Sequence, residues 1–444
     1  MSKNELKLQT SPADSSSVKL GFMKISKTVL KNGLKVVLLP RQDALSATVM
    51  VMVAAGSNYE TRAESGIAHF LEHMCFKGTK RRLGPSDISA ELDSLGAKYN
   101  AFTSNEYTGY YATVESKQVD KAFDVIADIY LNPQFNQVEL DKERGVIFEE
   151  MNMYEDTPSQ QVHDHLATLI YGDQPAGRPV IGTKETLSKI NQPEVLKFWQ
   201  KHYVPAATTV VVAGNFDQAK IRALIRQHFG SLPKRPVPKK LKVVEKQTKP
   251  AITLKFKESD QAHLAFGFRS KYLKHKDAYA LALLATILGG SMSSRLFKKI
   301  RDELGAAYYV WADSDLSTDH GLFVIAVGAD KKRASLIAKT IMDECRILIN
   351  DPLLPSELQK AKDCLTGRLT LSLESNSALA QYLAGQLTLK GEWETPSELV
   401  KKIKAVSVAD IKRLAKETFR NDKLNLAVIG PFKEDKEFVE VLSV

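Results

Sequence analysis

The segment GIAHFLEHMCFKGT, residues 66–79, carries two histidines and a glutamate in the spacing H-x-x-E-H. Residues four apart lie one above the other on a helix, so His69 and His73 can bind one Zn²⁺ from the same face. Glu72 neighbours that face without having to bind the metal. A carboxylate placed there can accept a proton from water beside the metal. The spacing therefore indicates metal-assisted hydrolysis.

The alternative is an ordinary surface helix that happens to carry two histidines. Most other positions of the segment are apolar: Ile67, Phe70, Leu71 and Met74. This composition predicts a largely buried helix, and buried imidazoles and carboxylates need partners or a metal. The flanking residues thus favour the metal site.

Zinc requires a third protein ligand, and a catalytic site leaves one position open. The segment LDKERGVIFEEMNMYED, residues 140–156, offers candidates. Glu143 and Glu150 are seven apart and share one helix face, whereas Glu149 is turned away by about 100°. Taken alone, the segment favours an acidic helix that faces solvent over a helix that carries a zinc ligand.

Several stretches together resemble the pitrilysin/insulinase family of zinc metallopeptidases, and within it the bacterial and mitochondrial processing-peptidase branch. The family uses the H-x-x-E-H signature of inverzincins. The resemblance covers about residues 24–440, nearly the whole chain. Its matching stretches are HFLEHMCFKGT, NAFTSNEYTGYYA, ERGVIFEEMNMYED, SSRLFKKIRDELGAAYYV and LNLAVIG.

The resemblance assigns roles to these residues one by one. It implies that His69, His73 and Glu150 bind one zinc ion per chain, with Glu72 as the general base. The family's third ligand lies seven residues after the Glu of its Glu-Arg pair, which maps to Glu150. Glu143 then supports the site without binding the metal. A shift of one residue in the alignment would select Glu149 instead of Glu150 as the third ligand.

The resemblance also implies how substrate is held. In the family an Arg and a Tyr seven residues later, from the C-terminal half, approach the substrate; the matching residues are Arg301 and Tyr308. A Tyr hydroxyl could stabilise an oxyanion there. Asn100, Ala101, Phe102 and Thr103 resemble the edge strand to which family members add the substrate peptide, a mode that tolerates many sequences.

The chain repeats itself weakly, with Leu95-Gly96-Ala97 matching Leu304-Gly305-Ala306 at an offset of 209. Each candidate position of the first copy is replaced in the second. The residues opposite His69, Glu72, His73, Glu143 and Glu150 are Ala278, Leu281, Ala282, Ala361 and Arg368. Residues needed only for the fold should be kept in both copies. Their loss indicates a chemical role confined to the first copy.

We predict an α+β fold of two homologous domains, each a mainly antiparallel sheet with helices packed on one face. A hairpin is expected around Asn32-Gly33, and Ser86 is the expected N-cap of a helix over 86–95. Further helices are expected over 65–76, 119–131 and 137–155, and strands over 98–104 and 107–115. The predicted parts are a mobile N-terminal tail (1–23), a catalytic zinc-binding domain (24–232), a linker (233–250) and a non-catalytic, substrate-clamping domain (251–444).

Composition narrows the class of protein. The chain has 444 residues, 43% hydrophobic and 26% charged, which excludes disordered and collagen-like chains. Residues 234–249 hold +6 of the net charge of +10, and this Pro-rich stretch is interpreted as a solvated linker rather than a nucleic-acid site. No apolar run could span a membrane, and no signal or transit peptide is recognised, so a cytoplasmic location is expected.

These observations predict a zinc-dependent endopeptidase that hydrolyses peptides or unfolded protein segments inside a closed chamber. Family members enclose substrate between four such domains. A two-domain chain should therefore form a homodimer, or a heterodimer with a related subunit. The alternative is a non-catalytic assembly or partner subunit of the same family.

Overall fold

The chain folds into two halves, each built on its own β-sheet. The structure, a computed structural model, describes residues 15–20 and 23–444. The strands are β1 (Ser15–Leu20), β2 (Met23–Val29), β3 (Lys35–Pro40), β4 (Ser46–Val53), β5 (Lys98–Thr103), β6 (Thr108–Glu115), β7 (Thr208–Gly214), β8 (Ala251–Phe256), β9 (Gln261–Arg269), β10 (Ala307–Leu316), β11 (Gly321–Asp330) and β12 (Leu424–Gly430).

Helices surround both sheets. They are α1 (Ile67–Met74), α2 (Pro85–Ser94), α3 (Val119–Leu131), α4 (Gln137–Glu155), α5 (Pro158–Tyr171), α6 (Lys184–Leu187), α7 (Gln192–His202), α8 (Gln218–Phe229), α9 (Ala278–Leu288), α10 (Ala334–Asn350), α11 (Pro355–Ser372), α12 (Asn376–Leu389), α13 (Pro396–Ala405), α14 (Val408–Thr418) and α15 (Lys436–Val439). A π-helical segment spans Phe297–Glu303. Among the described residues, no helix combines the length and apolar composition that crossing a bilayer requires.

Among the described residues, the five-stranded second sheet repeats the order of the last five strands of the seven-stranded first sheet. The first sheet runs β1-β2-β3-β7-β4-β6-β5 and the second runs β8-β12-β9-β11-β10. Strands β3 and β7 are parallel, as are β8 and β12, while the other neighbouring strands are antiparallel. The predicted α+β fold of two similar domains is thus confirmed, and β5 and β10 are the edge strands at equivalent positions.

Most of the predicted elements coincide with observed ones. Helices α3 and α4 have the predicted bounds, and Gly96 has the positive φ of 61° expected after a helix end. The predicted N-cap Ser86 is wrong, because α2 starts at Pro85 with Gly84 as its cap. Proline suits the first helical position, where no N–H is required, and the Asp87 carboxylate accepts the Gly84 N–H.

The predicted tail over 1–23 is only partly described. Residues 1–14 and 21–22 lie outside the described residues. Residues 15–20 form β1, which pairs antiparallel with β2, so this part is an edge strand rather than a mobile tail. The free edge of a strand such as β2 offers N–H and C=O groups for such pairing. Residues 233–250 contain no helix or strand and connect α8 to β8.

Each sheet is covered on its second face by a helix of the other half. Helix α12 packs on the first sheet, where Leu379, Leu383 and Leu387 lie in one buried cluster with Val37, Met50 and Val211. Helix α5 packs on the second sheet with Leu166 and Ile170 among its apolar residues. The exchange leaves β7 and β12 buried along their whole length. Helices of the same half pack on one face of each sheet, as predicted. A helix of the other half packs on the second face, so the two halves interlock.

Candidate functional site

Helix α1 begins at a tightly constrained point. Its N-cap Gly66 has φ 92°, and a Cβ there would lie 2.7 Å from the backbone oxygen of Ile181. The buried carboxylate of Glu60 accepts the N–H of Gly66 and the N–H of Ala68, both at 2.9 Å. These contacts satisfy backbone donors that a helix start leaves free, and they fix where the H-x-x-E-H residues lie.

The two histidines of α1 converge on one carboxylate. Nε2 of His69 and Nε2 of His73 each lie 3.7 Å from Oε2 of Glu150. One ligand atom from each of the three residues lies within 4.8 Å of the other two. Leu71, on the opposite face of α1, is fully buried in the core. The helix therefore turns its polar face to Glu150 because its apolar face packs inward.

The orientation of helix α4 distinguishes the adjacent residues Glu149 and Glu150. Glu149 accepts a weak hydrogen bond from Asn152 at 3.4 Å, on the exposed side of the helix. Glu150 faces α1, and the buried residues Ile147 and Met151 on either side hold this face of α4 against the core. The structure places Glu150, rather than Glu149, beside the histidines.

Glu143 contacts His73 from the side away from Glu150, behind the trio of His69, His73 and Glu150. Its carboxylate is 5% exposed and contacts Nδ1 of His73 at 2.9 Å and Nζ of Lys77 at 2.6 Å. Burial opposes ionisation, yet the hydrogen bonds from His73 and Lys77 hold the pKa of Glu143 below its ordinary value. With Nδ1 engaged in this way, Nε2 of His73 is the ring atom left to face Glu150.

Glu72 lies beside the trio on α1. Its residue is 8% exposed, and its carboxylate accepts a hydrogen bond from the hydroxyl of Thr103. Burial raises the pKa of Glu72, while the Thr103 bond and the charge of His73 oppose this shift. A carboxylate with a raised pKa, held by a single neutral donor, is suited to accept and return a proton.

A cleft of about 510 Å³ joins these residues to the edge strand β5. Its lining includes His69, Glu72, His73 and Glu150 from the helices and Asn100, Ala101, Phe102 and Thr103 from β5. Among the described residues, strand β5 pairs with β6 alone, so its other edge is available to an added strand. The structure thus brings eight of the predicted site residues to one cleft.

Arg301 and Tyr308 are not brought to this cleft. The Arg301 guanidinium lies 5.1 Å from the centre of the Phe297 ring, and its Nη1 donates to the backbone oxygen of Tyr308 at 3.4 Å. The Tyr308 residue is 62% exposed at the start of β10. Neither residue belongs to the lining that His69 and Glu150 share. Their clamping role stays a prediction.

Two polar residues of the cleft were missed in the sequence. Tyr154 and Asp164 line it together with the trio. Tyr154 follows Glu150 by four residues, so the helical spacing that selected Glu150 would also have selected Tyr154. Burial and the charge of Glu150 raise the pKa of the Tyr154 hydroxyl. Asp164 lies on the next helix, α5, so the spacing within α4 does not indicate that it reaches the cleft.

The residues present fit a zinc ion. Two imidazole nitrogens and one carboxylate oxygen make a common donor set for catalytic zinc, which leaves a fourth position for water. Burial and the neighbouring charge of His73 lower the pKa of His69 to about 3. Burial would also lower the pKa of His73, but its hydrogen bond to Glu143 raises it above the ordinary value. Zinc binds the neutral imidazole, so the ion would displace a proton from His73. Metal-binding histidines usually hydrogen-bond a carboxylate or carbonyl through the ring nitrogen that faces away from the metal, and Glu143 is such a partner for His73.

Comparison with known proteins gives matches over both halves. The family model described as insulinase (peptidase family M16) matches residues 35–184, and that described as peptidase M16 inactive domain matches residues 189–365. A Bacillus subtilis protein named uncharacterized zinc protease YmxG is 36% identical over 408 residues, which cover 92% of this chain and 98% of that protein. An uncharacterized zinc protease of Mycobacterium leprae is 32% identical over 423 residues, 95% of each chain.

Solved structures are similar in fold. A protease from Helicobacter pylori superposes with a TM-score of 0.86 at 25% identity, over 94% of this chain and 100% of that one. A peptidase M16 inactive domain from Pseudomonas fluorescens gives a TM-score of 0.84 at 19% identity, over 92% and 98% of the two chains. Over nearly its whole length, therefore, this chain belongs to the insulinase family, peptidase family M16.

Proposed function

We propose that this protein is a zinc-dependent endopeptidase with one zinc site per chain. The observation that carries the proposal is the convergence of His69, His73 and Glu150 on one point of a cleft that Glu72 also lines. Relatives named zinc proteases support the reaction class. The match of the second half to an inactive domain agrees with a single site in the first half.

A bound zinc ion would supply Lewis-acid activation of water and of the scissile carbonyl. The chain's own residues do the rest. Glu72 accepts a proton from the attacking water and returns it to the leaving amine, a role that its place in the cleft beside the two histidines allows. Thr103 orients the Glu72 carboxylate through its hydroxyl, and Glu143 orients the His73 ring.

The free edge of strand β5 is evidence that the substrate is a polypeptide. An extended peptide that pairs with its free edge would pass Asn100 and Thr103 and bring a backbone carbonyl toward Glu72. Main-chain hydrogen bonds hold such a peptide with little regard to its side chains. Only extended segments can pair in this way, so the substrates are unfolded segments or peptides rather than folded domains.

The test is hydrolysis of a quenched, unstructured peptide library by the purified chain, with and without a zinc chelator. Glu72→Gln should keep its zinc and lose at least about 100-fold in turnover, in line with the loss of a general base. Glu149→Gln, a matched change on the exposed side of α4, should remain active. Cleavage that survives both the chelator and Glu72→Gln would refute the proposal. A chain that neither binds zinc nor cleaves would favour the non-catalytic alternative.

We further propose that two chains pair to complete the site. This is motivated by the position of Arg301 and Tyr308, which are exposed and outside the cleft lining. A second chain could present them to the cleft. Mixing inactive Arg301→Ala with inactive Glu72→Gln should then restore activity. In a mixed pair, the unaltered Glu72 of the first variant would face the unaltered Arg301 of the second. A mixture that stays inactive, or a monomer that is fully active, would count against pairing.

A further inference from the structure

Two hairpin turns, one from each half, meet close to the cleft. Residues 104–107 connect β5 to β6, with Ser104 N–H donating to Tyr107 at 2.8 Å. Residues 317–320 connect β10 to β11, with Ser317 N–H donating to His320 at 2.9 Å. Because β5–β6 and β10–β11 are the terminal hairpins of their sheets, the turns occupy equivalent positions in the two halves.

Glu106 joins these turns from within the first hairpin. Its residue is only 4% exposed, and its carboxylate accepts the N–H of Thr318 at 2.9 Å and the Thr318 hydroxyl at 2.6 Å. Lys240, from the linker, contacts the same carboxylate at 2.5 Å and also binds Asp319. A buried carboxylate with a cation and two further donors is held firmly, because breaking any contact exposes an unpaired charge.

The linker is fixed by the same cluster. Asp319 accepts the N–H of Val243 at 3.1 Å and contacts Nδ1 of His320 at 2.7 Å. These hydrogen bonds and the charge of Lys240 hold the pKa of Asp319 below its ordinary value. The stretch expected to be a solvated linker thus contributes one charged residue, Lys240, to a partly buried junction between the halves.

The hairpin held by Glu106 is the one that carries the peptide-binding edge. Three residues before Glu106, the Thr103 hydroxyl bonds to Glu72, and Asn100–Thr103 line the cleft. An edge strand has a partner strand on one side only, so its tilt depends on β6 and on how its turn is anchored. Within the first half, the turn is also tied by the N–H of Asn58, which donates to Asn105 at 2.7 Å.

We propose that Glu106 is a positioning residue for the peptidase reaction. Through Thr318 and Lys240 it lets the second half and the linker set the position of β5, and hence the binding of an extended peptide beside Glu72. The inference rests on the proposed function and deepens it. It gives the second half a part in catalysis that does not require any of its side chains to reach the cleft.

The kinetic test compares graded variants. Glu106→Ala removes all three contacts and should raise KM for an unstructured peptide about tenfold, with kcat changed less than about twofold. Glu106→Gln keeps groups able to bond Thr318 and loses the charge pair with Lys240, so it should restore most of the affinity. Glu357→Ala is the matched control: it breaks a partly buried pair with Arg295, at 2.7 Å, that lies within the second half. It should leave KM unchanged.

A second measurement does not depend on turnover. Amide hydrogen exchange should quicken across residues 98–108 in Glu106→Ala and stay unchanged there in Glu357→Ala. Unchanged exchange in Glu106→Ala would overturn the proposal. So would faster exchange with an unchanged KM, because the contact would then be only structural. Should the wild type prove inactive, the proposed function fails; the inference then stands or falls on exchange and on the Kd for the same peptide, measured in Glu72→Gln with and without Glu106→Ala.

Discussion

The Nδ1 atom of His73 lies 2.9 Å from a carboxylate oxygen of Glu143. This contact joins α1 to α4 in the direction opposite to the cleft. It fixes the ring so that Nε2 faces Glu150, and it explains why the sequence carries two glutamates seven residues apart on one helix face. One of them faces the donor atoms and the other holds a histidine from behind.

The first prediction follows from that contact. Glu143→Ala should weaken zinc binding by about 10- to 100-fold, because the His73 ring loses the acceptor that orients it. Competition with a chromophoric chelator measures the affinity. Glu139→Ala, one turn earlier on α4, removes only an exposed pair with Lys142 and should bind zinc like the wild type. Equal zinc affinities for the wild type and both variants would show that Glu143 does not contribute to the zinc site.

The second prediction separates the adjacent glutamates of α4. Glu150→Gln should lose most of its bound zinc and its activity, since an amide is a poorer zinc ligand than a carboxylate. Glu149→Gln should keep both, because its side chain lies toward Asn152 and solvent. Metal analysis of the dialysed proteins gives the answer. The reverse result would shift the predicted ligand by one residue.

The third prediction concerns acid stability. The buried Asp128 carboxylate accepts hydrogen bonds from Thr79 at 2.6 Å and Arg82 at 2.7 Å, and it fixes the loop after α1. Burial alone would raise its pKa, yet these bonds lower it below the ordinary 3.8. The stabilisation is therefore complete above that value and is lost as the pH falls through the folded-state pKa.

Asp128→Asn should consequently be less stable at neutral pH by about 3 kcal/mol, because Arg82 loses a buried partner. Its free energy of unfolding should also fall less steeply than that of the wild type between about pH 5 and pH 2. Urea unfolding at several pH values measures both. Parallel curves for variant and wild type would show that Asp128 does not supply this pH dependence.

The fourth prediction concerns the interlocked halves. Leu383 of α12 is buried on the sheet of the opposite half, and Leu166 of α5 is buried in the reciprocal position. Leu383→Ala and Leu166→Ala should each cost about 2–5 kcal/mol, the range for a cavity in a packed core. Leu196→Ala, at a site 38% exposed, should cost far less. Small changes in the free energy of unfolding for Leu383→Ala and Leu166→Ala would mean that packing between the halves contributes little to stability.

Local patterns in the sequence were sufficient for most of the helices. The apolar spacing within residues 119–131 and 137–155 is that of α3 and α4, since one apolar stripe per helix is set by a period of 3.6 residues. The same periodicity grouped His69 with His73 and Glu143 with Glu150. Ser86 was misjudged as a cap because a preceding Gly-Pro pair provides an earlier start.

Other features depend on contacts between distant residues. Spacing within α5 cannot show that Asp164 reaches the cleft, because its position depends on how α5 packs against other elements. It also cannot show that Lys240 of a basic linker pairs with Glu106, 134 residues earlier in the chain. Such contacts are chosen by tertiary packing, which overrides local composition.

By itself, the sequence determined the donor types, their spacing on α1 and α4, and the confinement of these residues to the first of two repeats. These are properties of single helices, for which a fixed rise and turn convert residue numbers into faces. The tertiary structure decided that Glu150 rather than Glu149 meets the histidines, that Thr103 contacts Glu72, and that Arg301 lies outside the cleft. Those outcomes depend on how separate elements pack together, and no local periodicity encodes that arrangement.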